Sequence, residues 1–109
     1  MVTEESVRRN FTRLVEEGFD PAQPHLWQHM VCGSDQSQLR LFVERLAELG
    51  FAVVDPEPRL WPDRDTYVMN VEIKRVHTPE SLLGSCAQLA SLAQEYSVVC
   101  DSYVVFWET

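Results

Sequence analysis

The chain has 109 residues, of which 17 are acidic and 9 basic, giving a formal net charge of -8 at pH 7. Nucleic acid is held chiefly by cations set against phosphates, so this excess of acid argues against direct binding to a duplex, a single strand or an anionic membrane surface. The length suits a single domain spanning 1–109 that buries about two-thirds of the surface its unfolded chain exposes, and a hydrophobic fraction of 45% is that of an ordinary globular chain.

The first segment carries a helical period. Val7, Phe11, Leu14 and Val15 recur at i, i+4, i+7 and i+8, with Thr3 placed to cap the start, Glu4 and Glu5 at the positive end, and Gly18 as a left-handed stop followed by Phe19. Asp20, Pro21, Gln23 and Pro24 then form a connector, so residues 1–24 read as a helix plus a linker and 25–109 as the core of the fold. His25 to Cys32 is short, aromatic and bounded by Pro24 and Gly33, which predicts a strand. Ser34 or Asp35 caps a second helix with Leu39, Phe42, Val43, Leu46 and Leu49 on one face and Gly50 at its end.

A short apolar strand is expected from Phe51 to Asp55. The proline-rich, charged stretch Pro56 to Asp65 reads as a loop holding one large apolar residue, Trp61. From Thr66 to Val76 the alternation is clean, with Tyr67, Met69, Val71 and Ile73 on the buried face and Asn70, Glu72 and Lys74 on the wet one. Thr78, Pro79 and Glu80 open a third helix whose stripe is Leu82, Cys86, Leu89, Ala90, Ala93 and Tyr96. The run from Val98 to Trp107 predicts a last strand buried on both faces or nearly so.

After the leading helix the order is strand, helix, strand, strand, helix, strand. Two strand-helix-strand units joined by a hairpin fold as an α+β, ferredoxin-like sandwich, with an antiparallel sheet and both helices on one face. The extra helix is expected over a sheet edge or over the second sheet face, where it would shelter Val54, Val104 and Phe106.

Few residues suggest chemistry. His25 and His29 lie about 13 Å apart on a strand, too far for one metal ion, and three widely spaced cysteines, Cys32, Cys86 and Cys100, form no Cys-x-x-Cys pair and read as small buried hydrophobes. His29 reads as a sheet residue with a satisfied ring nitrogen. A meeting of Cys100, His77 and Asp101 in space would be needed for nucleophilic catalysis, and no local motif supports it. No enzyme activity, metal or cofactor is expected. The start of the chain does not read as a leader and no stretch approaches the roughly 18 apolar residues of a membrane helix, so the expected location is the cytoplasm.

Other residues suggest recognition. Trp61 either folds back on the core or is presented to a partner as an anchor. Opposite the apolar stripe of the third helix lie Gly84, Ala87, Gln88 and Ser91, a face low in charge that suits another helix, including that of a second copy in a homodimer. Residues 77–109 contain four acidic side chains, Glu80, Glu95, Asp101 and Glu108, and no lysine or arginine. Half of the net charge therefore lies in the last third, which is where a basic partner would be steered.

Taken together, Leu14-Val15-Glu16-Glu17-Gly18-Phe19-Asp20-Pro21, the strand holding His29, the helix ending Leu49-Gly50-Phe51, Leu92-Ala93-Gln94-Glu95-Tyr96 and Asp101-Ser102-Tyr103 resemble the regulator of ribonuclease activity B family, RraB, over about Val7 to Trp107. The chain departs from the family where it has Trp27-Gln28-His29-Met30 in place of paired histidines, and Asp101-Ser102-Tyr103 in place of Asp-Gly-Trp. The resemblance implies a ferredoxin-like, protein-binding regulator that inhibits ribonuclease E away from its catalytic centre, with no cofactor and no catalysis.

The leading expectation is thus a regulator that binds a ribonuclease with basic segments, using Trp61, Glu80, Glu95, Asp101 and Glu108. A ligand-sensing module would instead show an apolar pocket beside Trp27, Tyr67 or Trp107. An RNA-binding sheet would have to rely on Lys74 and Arg75, the only basic pair near its aromatic positions.

Overall fold

Each helix is fixed by its ends. In the computed structural model, which describes residues 2–62 and 65–108, α1 spans Glu4–Glu16, α2 Gln36–Glu48 and α3 Pro79–Glu95. Thr3 Oγ1 accepts from the Ser6 amide and Ser6 Oγ accepts from the Thr3 amide, so two otherwise unpaired donors are satisfied reciprocally. Thr78 and Ser81 repeat the arrangement at α3, behind Pro79. At α2 the cap is Asp35, whose carboxylate accepts from the amides of Ser37 and Gln38.

All three helices stop in the same way. Gly18 and Gly50 take φ of 107° and 104°. The amides of Phe19 and Phe51 then reach back to the carbonyls of Leu14 and Leu46, which turns each phenylalanine onto the core. At α3 the left-handed residue is Ser97, with φ of 56°, and Val98 takes the place of the phenylalanine by bonding to the carbonyl of Ala93.

Among the described residues five strands form one sheet. They are β1 (His25–Gly33), β2 (Ala52–Val53), β3 (Arg59–Trp61), β4 (Thr66–Arg75) and β5 (Val104–Phe106). The main path is β2-β4-β1-β5, antiparallel throughout, with β3 also paired to β4. This is the ferredoxin-like order expected from the sequence. The central pair β1 and β4 is in register from His25 opposite Arg75 to Gly33 opposite Tyr67.

That register sorts the side chains. Trp27, His29 and Val31 of β1 and Met69 and Val71 of β4 are buried and face the helices. Around Val31, Met69 and Val71 pack Leu39, Phe42, Val43 and Leu46 of α2, with Leu89 and Ala93 of α3. Around Trp27 pack Val7, Phe11 and Leu14 of α1, Phe19, and Leu82 and Cys86 of α3. Trp27 has no exposed surface, stacks on Phe11 at 5.9 Å and donates its Nε1 proton to the carbonyl of Arg75.

Four local expectations need correction. The stretch Pro56 to Asp65 is not all loop, because Arg59–Trp61 pairs with Thr66–Val68 as β3; residues 63 and 64 of that stretch lie outside the described residues. The strand expected from Phe51 to Asp55 shrinks to two residues, because Asp55 turns in to accept from the backbone amide and the side-chain amide of Asn70. The last strand, expected from Val98 to Trp107, is cut to three residues plus an isolated bridge between Cys32 and Val99. It is also not buried on both faces, since it sits at the sheet edge with Val104 and Phe106 half exposed.

The fourth correction concerns the extra helix. Of the two places expected for it, it does not cross the second face of the sheet; it lies beside α3 on the face the other helices use, with Asn10, Arg13 and Leu14 bordering Val104 and Val105 of the edge strand β5, because its apolar stripe is consumed by Trp27, Leu82 and Cys86. Val54, Val104 and Phe106 consequently stay exposed. Among the described residues, no helix is long and apolar enough to cross a membrane.

Candidate interaction surfaces

The helical side and the bare side of the sheet offer different surfaces. On the helical side, a groove of about 350 Å³ runs along α3, lined by Leu83, Ala87, Ala90 and Gln94 with Val2 and Asp101 contributed from outside the helix. Glu80 stands one turn before Leu83 and Glu95 one turn after Ser91, so the two ends of this stripe and its wall at Asp101 are acidic and exposed.

Glu80 is not a free charge. Its carboxylate is held below the usual range first by hydrogen bonding to its own backbone amide in the first turn of α3, then by Arg8, whose Nη2 lies 2.5 Å from it. Arg8 also reaches Glu4 at 3.1 Å, so one guanidinium bridges α1 and α3 and its own pKa is raised by the two acids. Among the described residues Glu95 has no such partner. It sits in the last turn of α3, where the negative end of the helix dipole disfavours an acid and where no basic residue is present.

Trp61 and Glu108 are elsewhere. Trp61 pairs with Thr66 on the side of the sheet away from the helices, where it forms a groove of about 280 Å³ with Met30, Arg59, Leu60, Pro62 and Val68. Val68, which lines the same groove, is buried although alternation alone assigns it to the wet face. Glu108 is exposed two residues after Phe106, beyond Trp107, whose ring turns inward against Phe19 at 5.6 Å. The five residues singled out from sequence thus divide, with Glu80, Glu95 and Asp101 on or beside the α3 groove, Trp61 on the bare face and Glu108 just beyond β5.

The interior holds a cluster that the sequence did not announce. His29 and His77 are both buried, at 1% and 3% exposure. His29 donates through Nδ1 to the carbonyl of Ser102, as a satisfied sheet histidine should, but its Nε2 has no partner; His77 pairs through Nδ1 with Ser81 Oγ and also leaves Nε2 unpartnered. Burial is the largest cause of a lowered pKa at both, and Arg75 adds to it; His77 is pushed down to about 4. The one available clue was position, since His77 directly precedes the cap of α3.

The remaining candidate chemistry is placed as follows. Among the described residues no group of three or more histidine, cysteine or acidic side chains is arranged to hold a metal ion. Burial pushes the thiols of Cys86 and Cys100 up to about 11 and about 12, so neither is a thiolate at neutral pH; Cys32 is only half-buried, unlike the expectation for all three cysteines. His77 packs edge-on against Trp27 at 5.0 Å. Lys74 and Arg75 point to opposite sides of the sheet, and the Arg75 guanidinium lies over the Phe51 ring at 5.8 Å. Trp27 and Tyr67 serve the core.

Comparison with solved structures finds an ACT domain protein from Streptococcus pneumoniae with a TM-score of 0.55 and 16% identity, covering 74% of this chain and 89% of that one. At that identity the likeness is one of fold, and it agrees with the strand order described above. A search of curated proteins returns no match. The family model described as regulator of ribonuclease activity B matches residues 4–105, nearly the whole chain. With all three helices, both Gly-Phe stops and every strand but the last residue of β5 inside that match, the chain belongs to the regulator of ribonuclease activity B family.

Proposed function

We propose that this chain is a non-catalytic regulator that binds a ribonuclease with basic segments in the cytoplasm and lowers or redirects its activity. Family membership supplies the ribonuclease. The observation that carries the rest is the acid-only stretch 77–109, whose Glu95 and Asp101 stand exposed at the α3 groove while Glu80 is partly neutralised by Arg8. Arginine or lysine of the partner would be drawn to this side by the field of the chain, and apolar contacts along Leu83, Ala87 and Ala90 would set the lifetime of the complex.

The test is a pull-down from lysate at low and moderate salt, followed by an RNA-cleavage assay on the retained fraction with and without added protein. Retention of a ribonuclease whose cleavage rate changes supports the reading. Absence of any nuclease or basic protein at both salt concentrations overturns it.

A further inference from the structure

The helices cover one face of the sheet and leave the other bare. Register places Leu26, Gln28, Met30 and Cys32 of β1, Val68, Asn70, Glu72 and Lys74 of β4, Val104 and Phe106 of β5, and Arg59 and Trp61 of β3 on that face. Phe106 is half exposed and stands opposite Leu26, whereas the groove of Met30, Trp61 and Val68 is at the far end.

The two features are at diagonally opposite corners. Phe106 lies level with Lys74 and Trp61 level with Thr66, eight residues along β4 or about 26 Å at ~3.3 Å per residue, and β5 and β3 are three strand spacings, about 14 Å, apart. A two-fold axis lying parallel to the face, over its centre and perpendicular to the diagonal that joins these two corners, exchanges them. It would set the Phe106 ring of each copy over the groove of the other, an apolar knob over an apolar hollow at both ends of one self-complementary patch.

Charge agrees with this geometry. The groove corner carries Arg59, and the Phe106 corner carries Glu108, so the same axis brings opposite charges together twice. Two molecules of charge -8 repel each other in general. This face is less repulsive than the rest of the surface, because Arg59, which also lies 3.5 Å from the mostly covered Asp55, and Lys74 stand against Glu72 and Glu108. The α3 side has acids and no base after residue 76.

We propose that the bare sheet face is the interface of a two-fold homodimer, with Phe106 of one copy seated in the Met30–Trp61–Val68 groove of the other and Glu108 paired with Arg59 across the two-fold. The proposal is independent of the ribonuclease reading, which uses the α3 side.

Sedimentation velocity of the full chain over a range of micromolar concentrations tests it. The expected result is a species of twice the 12.6 kDa chain mass whose dissociation constant rises at least about tenfold on Phe106→Glu. Arg59→Glu or Glu108→Arg alone should weaken it by about tenfold, and the two together should restore most of the loss. Ala87→Glu, on the α3 groove, should leave the dimer unchanged. Circular dichroism checks that each variant is folded, and because Arg59 and Glu108 are exposed the charge-swap pair reads the interface even if Phe106→Glu misfolds. A monomer at every concentration overturns the proposal, as does a dimer indifferent to the charge swap or one broken by Ala87→Glu. If ribonuclease capture persists in a variant that cannot dimerise, the two readings separate.

Discussion

His29 and His77 set how the protein responds to acid. Their folded pKa values lie below the ordinary 6.5, so the unfolded chain takes up protons first as the pH falls. Stability is therefore complete above about pH 6.5 and is lost progressively towards the folded values, about 4 for His77, with a slope of at most about 1.4 kcal/mol per pH unit for each ring. Urea unfolding at pH 7, 6 and 5 should show this fall, and His77→Gln should flatten it; a stability that is constant from pH 7 to 5 would contradict the burial of both rings. Ser97 offers a second prediction at this scale. It occupies the left-handed position that glycine fills at the other two helix ends, and a side chain there costs about 1 kcal/mol. Ser97→Gly should raise the urea midpoint by the equivalent of about 0.5 kcal/mol, the remainder being offset by the greater freedom of glycine in the unfolded chain.

At the scale of elements, what can be read from the sequence depends on how local its cause is. Helix starts and stops were legible because Thr3, Asp35, Thr78, Gly18 and Gly50 act on amides and carbonyls within five residues. β3 was not legible, because Arg59, Leu60 and Trp61 form a strand only through their pairing with Thr66, Tyr67 and Val68 across a turn. The valines and aromatics near the end suggested burial on both faces, yet the strand's outer face has nothing above it once α1 is committed to Trp27. Of the candidate surface, the acidic residues were legible as composition; the separation of Glu80, Glu95 and Asp101 from Trp61 by the thickness of the sheet was not. Glu95 links this scale to function. Glu95→Lys removes an acid from the C-terminal turn of α3 and should stabilise the fold by about 0.3–1 kcal/mol, while weakening ribonuclease capture severalfold. Parallel measurement of unfolding and of binding checks it, and opposite signs are the expected outcome.

For the molecule as a whole, the charge of -8 is a statement about rates more than about lifetime. Raising salt from about 50 to 200 mM shortens the screening length from roughly 14 to 7 Å, so association with a basic ribonuclease should slow markedly while dissociation changes little. Surface plasmon resonance at the two salt concentrations reads both constants, and a salt effect confined to dissociation would argue against electrostatic steering.

Asp55 has a further consequence at this scale. Its carboxylate takes the Asn70 amide between β2 and β3, so the edge that β4 would otherwise carry as one continuous strand is broken into pieces of two and three residues. β5, at the opposite edge, is also only three residues long. Among the described residues neither margin offers an uninterrupted ladder on which another chain's backbone could extend the sheet, despite the exposed Val53, Val54, Val104 and Phe106. Copies that meet face to face, as proposed above, would still find only short edge strands, which disfavour the open-ended strand addition that leads to fibres.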